Sequence, residues 1–237
     1  MTEKIPLARP YVGEEEIKAV SEVIRSGWLS LGPKLTEFEN RFADFIGAKH
    51  AVAVNSGTSG LHLCIKALNI GPGDQVITSS FSFVASSNPI ILEGGNPVFV
   101  DIDERTYNID PQKLEDAITE DTKAIVLVHI FGQPCNMEEI MRIAERKGIP
   151  IIEDACEALG AAFDGRKVGT FGQASVFAFY PNKQITTGEG GIIVTDNDEI
   201  AAICRSWRNQ GRDDSGEWLN HVLIGYNYRM EDRKSVV

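Results

Sequence analysis

Apolar and polar positions follow two rhythms along the chain. Short runs rich in Val, Ile, Ala and Phe recur at residues 51–54, 75–78, 97–100, 123–129, 150–153, 174–179 and 191–195. Their length, β-branched content and flanking turn residues predict strands, several of them fully buried. Between them apolar residues fall three or four apart, as in Ile17, Val20, Val23 and Ile24, in Met137, Ile140, Met141 and Ala144, and in Ile200, Ile203, Cys204 and Trp207. That spacing lays one apolar stripe along a helix. Asn136 with Glu139 three residues later reads as a capping box, and Asn197 as the N-cap of the last helix.

Strand and helix patterns alternate, which predicts an α/β fold: a mostly parallel seven-stranded sheet with helices on both faces. No internal repeat, low-complexity tract or Pro/Gly linker divides the chain. Residues 1–33 read as an N-terminal arm with one helix and residues 34–210 as the α/β domain. Residues 211–237 open on the polar, turn-rich Gly211-Arg212-Asp213-Asp214-Ser215-Gly216 and read as a loop and chain end.

Composition narrows the possibilities. With 237 residues, 43% of them hydrophobic and 24% charged, the chain can bury a sizeable core, which argues against disorder and fibrous structure. Its 23 Lys and Arg against 34 Asp and Glu leave a net charge of −11, which disfavours nucleic acid and anionic membrane surfaces as partners. The N-terminus lacks a basic start followed by an apolar run, and no stretch approaches the roughly 18 apolar residues of a membrane span. A cytoplasmic protein is expected. Cys64, Cys135, Cys156 and Cys204 form no C-x-x-C pair and the four histidines no H-x-x-x-H, so buried reduced thiols are expected and no metal site.

Three segments carry chemistry. Asn55-Ser56-Gly57-Thr58-Ser59-Gly60 lies between a strand and a helical run, where free backbone N–H groups and a helix dipole suit a phosphate. It reads equally as a tight turn with Thr58 as N-cap. Ile151-Ile152-Glu153-Asp154 is a strand ending in two carboxylates, and ligands of open α/β sheets bind beyond such ends, although Asp154 could simply cap a helix. Lys183 follows the aromatic strand Phe177-Ala178-Phe179-Tyr180 and Pro181, with Gly188-Glu189-Gly190-Gly191 beyond it. It reads either as a desolvated amine or as a solvated loop lysine. Together, a phosphate cradle, a strand-end aspartate and a lysine in that order are the three fixed points that hold pyridoxal 5′-phosphate (PLP): phosphate, ring nitrogen and aldehyde carbon.

Four segments resemble the DegT/DnrJ/StrS family of PLP-dependent sugar aminotransferases: Gly57-Thr58-Ser59, the run from Glu153 to Ala161, Phe179-Tyr180-Pro181-Asn182-Lys183 with Thr187-Gly188-Glu189-Gly190-Gly191, and Gly225-Tyr226-Asn227-Tyr228-Arg229-Met230. The likeness runs from about Pro6 to Met230, beyond which the sequence departs from the family. It implies the large domain of the fold type I aminotransferases. It makes Lys183 the Schiff-base lysine and proton shuttle, and Asp154 the partner of the ring nitrogen. Gly57 and Thr58 become phosphate contacts and Phe83 the aromatic stacked on the ring. Asn227 becomes a residue sent to a neighbouring subunit's phosphate, hence a homodimer. The implied partners are an amino-acid donor, L-glutamate, and a nucleotide-linked keto sugar, in bacterial polysaccharide or deoxysugar biosynthesis. A C-terminal small domain of the family is not in the sequence. Two positions depart from the pattern: Ala178 stands where many members have a phosphate-binding Ser, with Ser175 on the opposite face of the strand. Glu157 stands where Gln or His commonly bonds the phenolic oxygen, so it must be protonated, turned away or paired. Two rival readings are a PLP-dependent sugar dehydratase, against which Lys183 counts, and a non-catalytic scaffold.

Overall fold

The computed structural model describes residues 5, 6, 8–213 and 220–236. The chain begins with α1 (Glu14–Ser26) and α2 (Pro33–Ile46), then runs β1 (His50–Val54), α3 (Gly57–Ala67), β2 (Gln75–Ser79), α4 (Asn88–Leu92), β3 (Asn96–Val100), α5 (Pro111–Ala117), β4 (Thr122–Val128), α6 (Met137–Lys147) and β5 (Ile151–Asp154). A small hairpin, β6 (Ala162–Phe163) and β7 (Arg166–Lys167), precedes β8 (Ala174–Ala178), β9 (Gly191–Thr195) and α7 (Asp198–Arg208). All seven expected strands form.

They build one sheet in the order β1-β9-β8-β5-β4-β2-β3. The pairs β2–β3, β2–β4, β4–β5 and β5–β8 are parallel, while β9 runs antiparallel to both β1 and β8. Alternate strand residues face opposite sides. Val52, Val54, Val76, Val126, Ile152 and Ile193 meet Leu61, Cys64, Ile65, Ile90, Cys204 and Trp207 from α3, α4 and α7. On the other face, Ala51, Ala53, Phe177 and Ile192 meet Leu35, Phe38 and Phe42 of α2. Farther along that face, Ile77, Ile125, Leu127 and Ile151 meet Leu114 of α5 and Met137, Ile140 and Ala144 of α6. Such two-sided burial explains why these strands read as near-continuous apolar runs.

Local signals act at two helix starts, although the capping box expected at Asn136 does not close, since Glu139 bonds the Asn136 side-chain amide and not its backbone N–H. Asn136 accepts from the Glu139 N–H, and its side chain also bonds the Glu139 carboxylate at 3.1 Å. Asn197 accepts from the N–H groups of Glu199 and Ile200. Helix α2 is capped differently. Its N-cap is Gly32, so the buried Asp232 carboxylate reaches across from the far end of the chain to accept from Lys34 N (3.2 Å) and Leu35 N (2.8 Å). All four cysteines are free, three of them buried and Cys156 partly so.

Candidate active site

The carboxyl ends of β4, β5 and β8, the N-terminus of α3 and the segment 179–190 enclose a cleft of about 640 Å³. Ser56, Gly57, Thr58, Phe83, Asp154, Glu157, Ala178 and Lys183 all line it. Six of the seven residues expected from the sequence therefore meet in one place.

Helix α3 starts here because Ser56, extended at φ −163°, accepts from the Ser59 N–H at 3.1 Å. Ser56, not Thr58, is the cap. Thr58 stays exposed at the cleft, and the first N–H groups of a helix are its unsatisfied, positive end. Gly57 is needed for space: a Cβ there would lie 2.8 Å from Ala178 Cβ and 3.0 Å from Cys156 Sγ. The helix start is thus pressed against the floor of the cleft.

Asp154, 7% exposed, closes β5. Its Oδ2 accepts from Ser86 Oγ at 2.9 Å and its Oδ1 from Cys156 N at 3.3 Å. It caps no helix; the chain turns immediately after it. Phe83 is 76% exposed on the wall, which rules out the ordinary role of a core phenylalanine. Burial and then the Asp154 charge push the ionisation of the Cys156 thiol well up.

Lys183 resolves the question the sequence left open. Its side chain is 17% exposed and its Nζ lies 2.9 Å from Glu157 Oε1, so it is neither solvated nor unpartnered. Glu157 is paired twice over, since its Oε2 accepts from Phe131 N at 3.1 Å. Phe131 adopts φ +51° to present that N–H, a conformation bulky residues seldom take. Ser175 does face away from the cleft, donating to Glu153 Oε1 at 3.0 Å.

Asn227 is not in this cleft. It is exposed beside the start of α3, its carbonyl accepting from Asn55 Nδ2 at 3.4 Å. Its neighbours anchor it: Tyr226 and Tyr228 stack 4.9 Å apart, Tyr228 Oη lies 3.0 Å from His62 Nδ1 and Tyr226 Oη 3.2 Å from Glu93 Oε1.

Residues that motif reading left aside complete the picture. Glu153 and His129, both fully buried, meet behind Asp154 at 3.1 Å, and Ser86 supports the Asp154 carboxylate. A charged residue inside the apolar run Ile151-Ile152-Glu153 was the available signal for Glu153. Among the described residues no group of three or more His, Cys, Asp or Glu could hold a metal ion, and no helix is long and apolar enough to cross a membrane.

The site fits PLP on its donor set. A positive helix end faces a buried carboxylate and an amine across one cleft, matching a phosphate, a protonated ring nitrogen and an aldehyde.

Comparison with known proteins gives the same direction. The model of the DegT/DnrJ/EryC1/StrS aminotransferase family matches residues 10–237, so the likeness continues past Met230 to the end of the chain. The spore coat polysaccharide biosynthesis protein SpsC of Bacillus subtilis is 51% identical over 244 residues, covering 98% of this chain and 62% of that protein. GDP-perosamine synthase of Caulobacter vibrioides is 44% identical over 235 residues, covering 99% of this chain and 63% of that protein. A Streptococcus pneumoniae protein described as a sugar aminotransferase and solved in its PLP form superposes with a TM-score of 0.93 at 30% identity, over 99% of this chain and 65% of that one. The chain thus spans about three fifths of the length of the curated relatives it matches.

Proposed function

Because the chain belongs to the DegT/DnrJ/EryC1/StrS aminotransferase family, we propose that it is the cofactor-binding part of a PLP-dependent enzyme moving an amino group from L-glutamate to a keto group of a nucleotide-linked sugar. The observation that carries this reading is the convergence of the α3 N-terminus, Asp154 and Lys183 on one cleft. The likeness to a spore coat polysaccharide biosynthesis protein and to a GDP-perosamine synthase supports the sugar as acceptor and a polysaccharide or deoxysugar pathway.

PLP, when bound, supplies an electrophilic carbon for amines and a ring that withdraws electrons from the carbon bearing them. The chain's own groups do the rest. N–H groups at the start of α3, with Gly57 and Thr58, bind the phosphate, and Phe83 offers its exposed face to the ring. Asp154, its orientation held by Ser86 Oγ, would keep a proton on the ring nitrogen. Lys183 would hold the aldehyde carbon and, once its amine is free, would move the proton at the donor's Cα as general base. Glu157, 2.9 Å away, stabilises the ammonium so formed. Asn227, exposed and outside this chain's own cleft, serves the phosphate of a second copy, so the working unit is a homodimer.

The reading is tested by adding PLP to the purified chain, reducing with borohydride and mapping the label. It should sit on Lys183, and Lys183→Ala should stay folded but unlabelled. A label elsewhere, or unchanged labelling of the variant, would overturn the assignment.

A further inference from the structure

At the back wall of the cleft, one fully buried histidine grips two successive residues of β5. The main-chain N–H of His129, the first residue beyond β4, donates to the Asp154 carbonyl at 3.1 Å. Its Nε2 lies 3.1 Å from Glu153 Oε2. Its Nδ1 accepts the Cys135 N–H at 3.1 Å, which requires a bare Nδ1 and places the ring proton on Nε2, facing Glu153. Glu153 is fully buried yet has five donors: His129 Nε2, Gly169 N (2.8 Å), Phe171 N (2.7 Å), Gly172 N (2.8 Å) and Ser175 Oγ (3.0 Å). Burial alone would push its carboxyl up, but His129 and the loop N–H groups outweigh it and hold the group lowered, ionised.

Glu153 and Asp154 point to opposite faces of β5 because successive strand residues do. Any roll of the strand end about its axis therefore swings both carboxylates together. From this geometry we infer that His129 is a positioning residue: by fixing Glu153 on one face and the Asp154 carbonyl in the ladder, it sets the angle at which Asp154 enters the cleft. The five donors take the place of water around the Glu153 carboxylate, which keeps its charge, and they fix its position. The inference rests on the proposed role of Asp154 toward PLP.

Two substitutions separate the halves of the ring. In His129→Gln the side-chain amide can still donate to Glu153, whereas in His129→Asn it can still accept from Cys135 N but no longer reaches Glu153. PLP titration of the purified chain, followed by its visible absorption, should give a dissociation constant within about threefold of wild type for the Gln variant and raised about tenfold for the Asn variant, as expected for one lost charge-assisted hydrogen bond. Equal affinities for the two variants, or wild-type affinity for His129→Asn, would overturn the inference. Should His129→Asn fail to fold, Ser175→Ala removes a different Glu153 donor with little loss of packing and should weaken PLP about threefold; unchanged affinity would count against the mechanism. The nitrogen shifts of 15N-histidine-labelled wild type supply a readout without cofactor: a proton on His129 Nδ1 would contradict the assigned geometry. Asp154→Asn is the control. If it leaves PLP affinity unchanged, the proposed function fails, whereas a loss there without one in His129→Asn defeats this inference alone.

Discussion

Adding one methyl group at Gly57 probes the floor of the site. In Gly57→Ala the new Cβ would lie 2.8 Å from Ala178 Cβ and 3.0 Å from Cys156 Sγ. Carbon atoms pack best about 3.5–4.0 Å apart, so the start of α3 must lift by about 1 Å. Overpacking of this size costs about 1–3 kcal/mol of stability. The same shift would take the N–H groups proposed to hold the phosphate out of the roughly 2.7–3.2 Å bonding range. Loss of one hydrogen bond to a charged group is worth about 1.5–3 kcal/mol, or roughly 10- to 100-fold in PLP affinity. Urea denaturation of the chain without cofactor and PLP titration measure the two effects separately. Ala178→Gly removes the nearest obstructing atom, so the double variant Gly57→Ala/Ala178→Gly should recover most of the affinity. Wild-type affinity in Gly57→Ala, or a double variant no better than the single one, would refute the steric argument.

Other predictions follow from bonds already described. Asp154→Asn replaces the carboxylate proposed to face the ring nitrogen with a neutral amide, and should weaken PLP about 10- to 100-fold with the melting temperature of the cofactor-free chain little changed. Asp232→Ala strips the cap from α2, buried under Phe177 and Phe179, and should cost about 1–2 kcal/mol in urea denaturation; an unchanged midpoint would show that the cap is dispensable. The ionisation of Glu153 is lowered in the folded chain, so its contribution to stability is complete above the unfolded carboxyl value of about 4.3 and drains away as pH falls through the lower folded value. Stability measured from pH 6 to 3 should therefore fall less steeply in Glu153→Gln than in wild type, from a lower starting point; parallel curves would contradict the ionised state.

The sheet was legible because its strands other than the edge strand β3 are buried on both faces, so that apolar runs end where the strands end, within a residue or so. The second face of Asp154 was not. That Ile151-Ile152-Glu153-Asp154 ends in carboxylates is visible in the sequence, but that Glu153 turns away to meet Gly169, Phe171, Gly172 and His129 depends on contacts up to 24 positions distant. The cap of α2 is harder still, since Lys34 and Asp232 are 198 positions apart. At the start of α3 the sequence offered Thr58 as N-cap, yet Ser56 takes the role because it sits one residue before the helix with an extended backbone. The hairpin of β6 and β7 is two residues a side and carries no periodic pattern, although Asp164 and Gly165, both at positive φ, provide its turn. Glu157 illustrates the limit of motif reading. The sequence showed that its charge must be dealt with, and only the fold shows Lys183 and Phe131 doing so.

The reversed direction of β9 shapes how this site can change. Since β8 and β9 are antiparallel neighbours, the segment that carries Lys183 leaves the sheet at Ala178 and returns beside it at Gly191, the two residues being paired. Phe179 N and Gly190 O close the neck with a 2.9 Å hydrogen bond. Insertions or deletions between those points leave every strand in register, and even doubling a loop adds only about 0.6 kcal/mol of closure entropy. The lysine thus hangs from the sheet on a loop rooted by Phe179 against Phe38 and Phe42, while the groups proposed for the phosphate and the ring nitrogen sit on α3 and β5. A designer could graft segments of different length between Tyr180 and Glu189 to re-aim the amine, keeping Phe179 and Gly190 to close the neck.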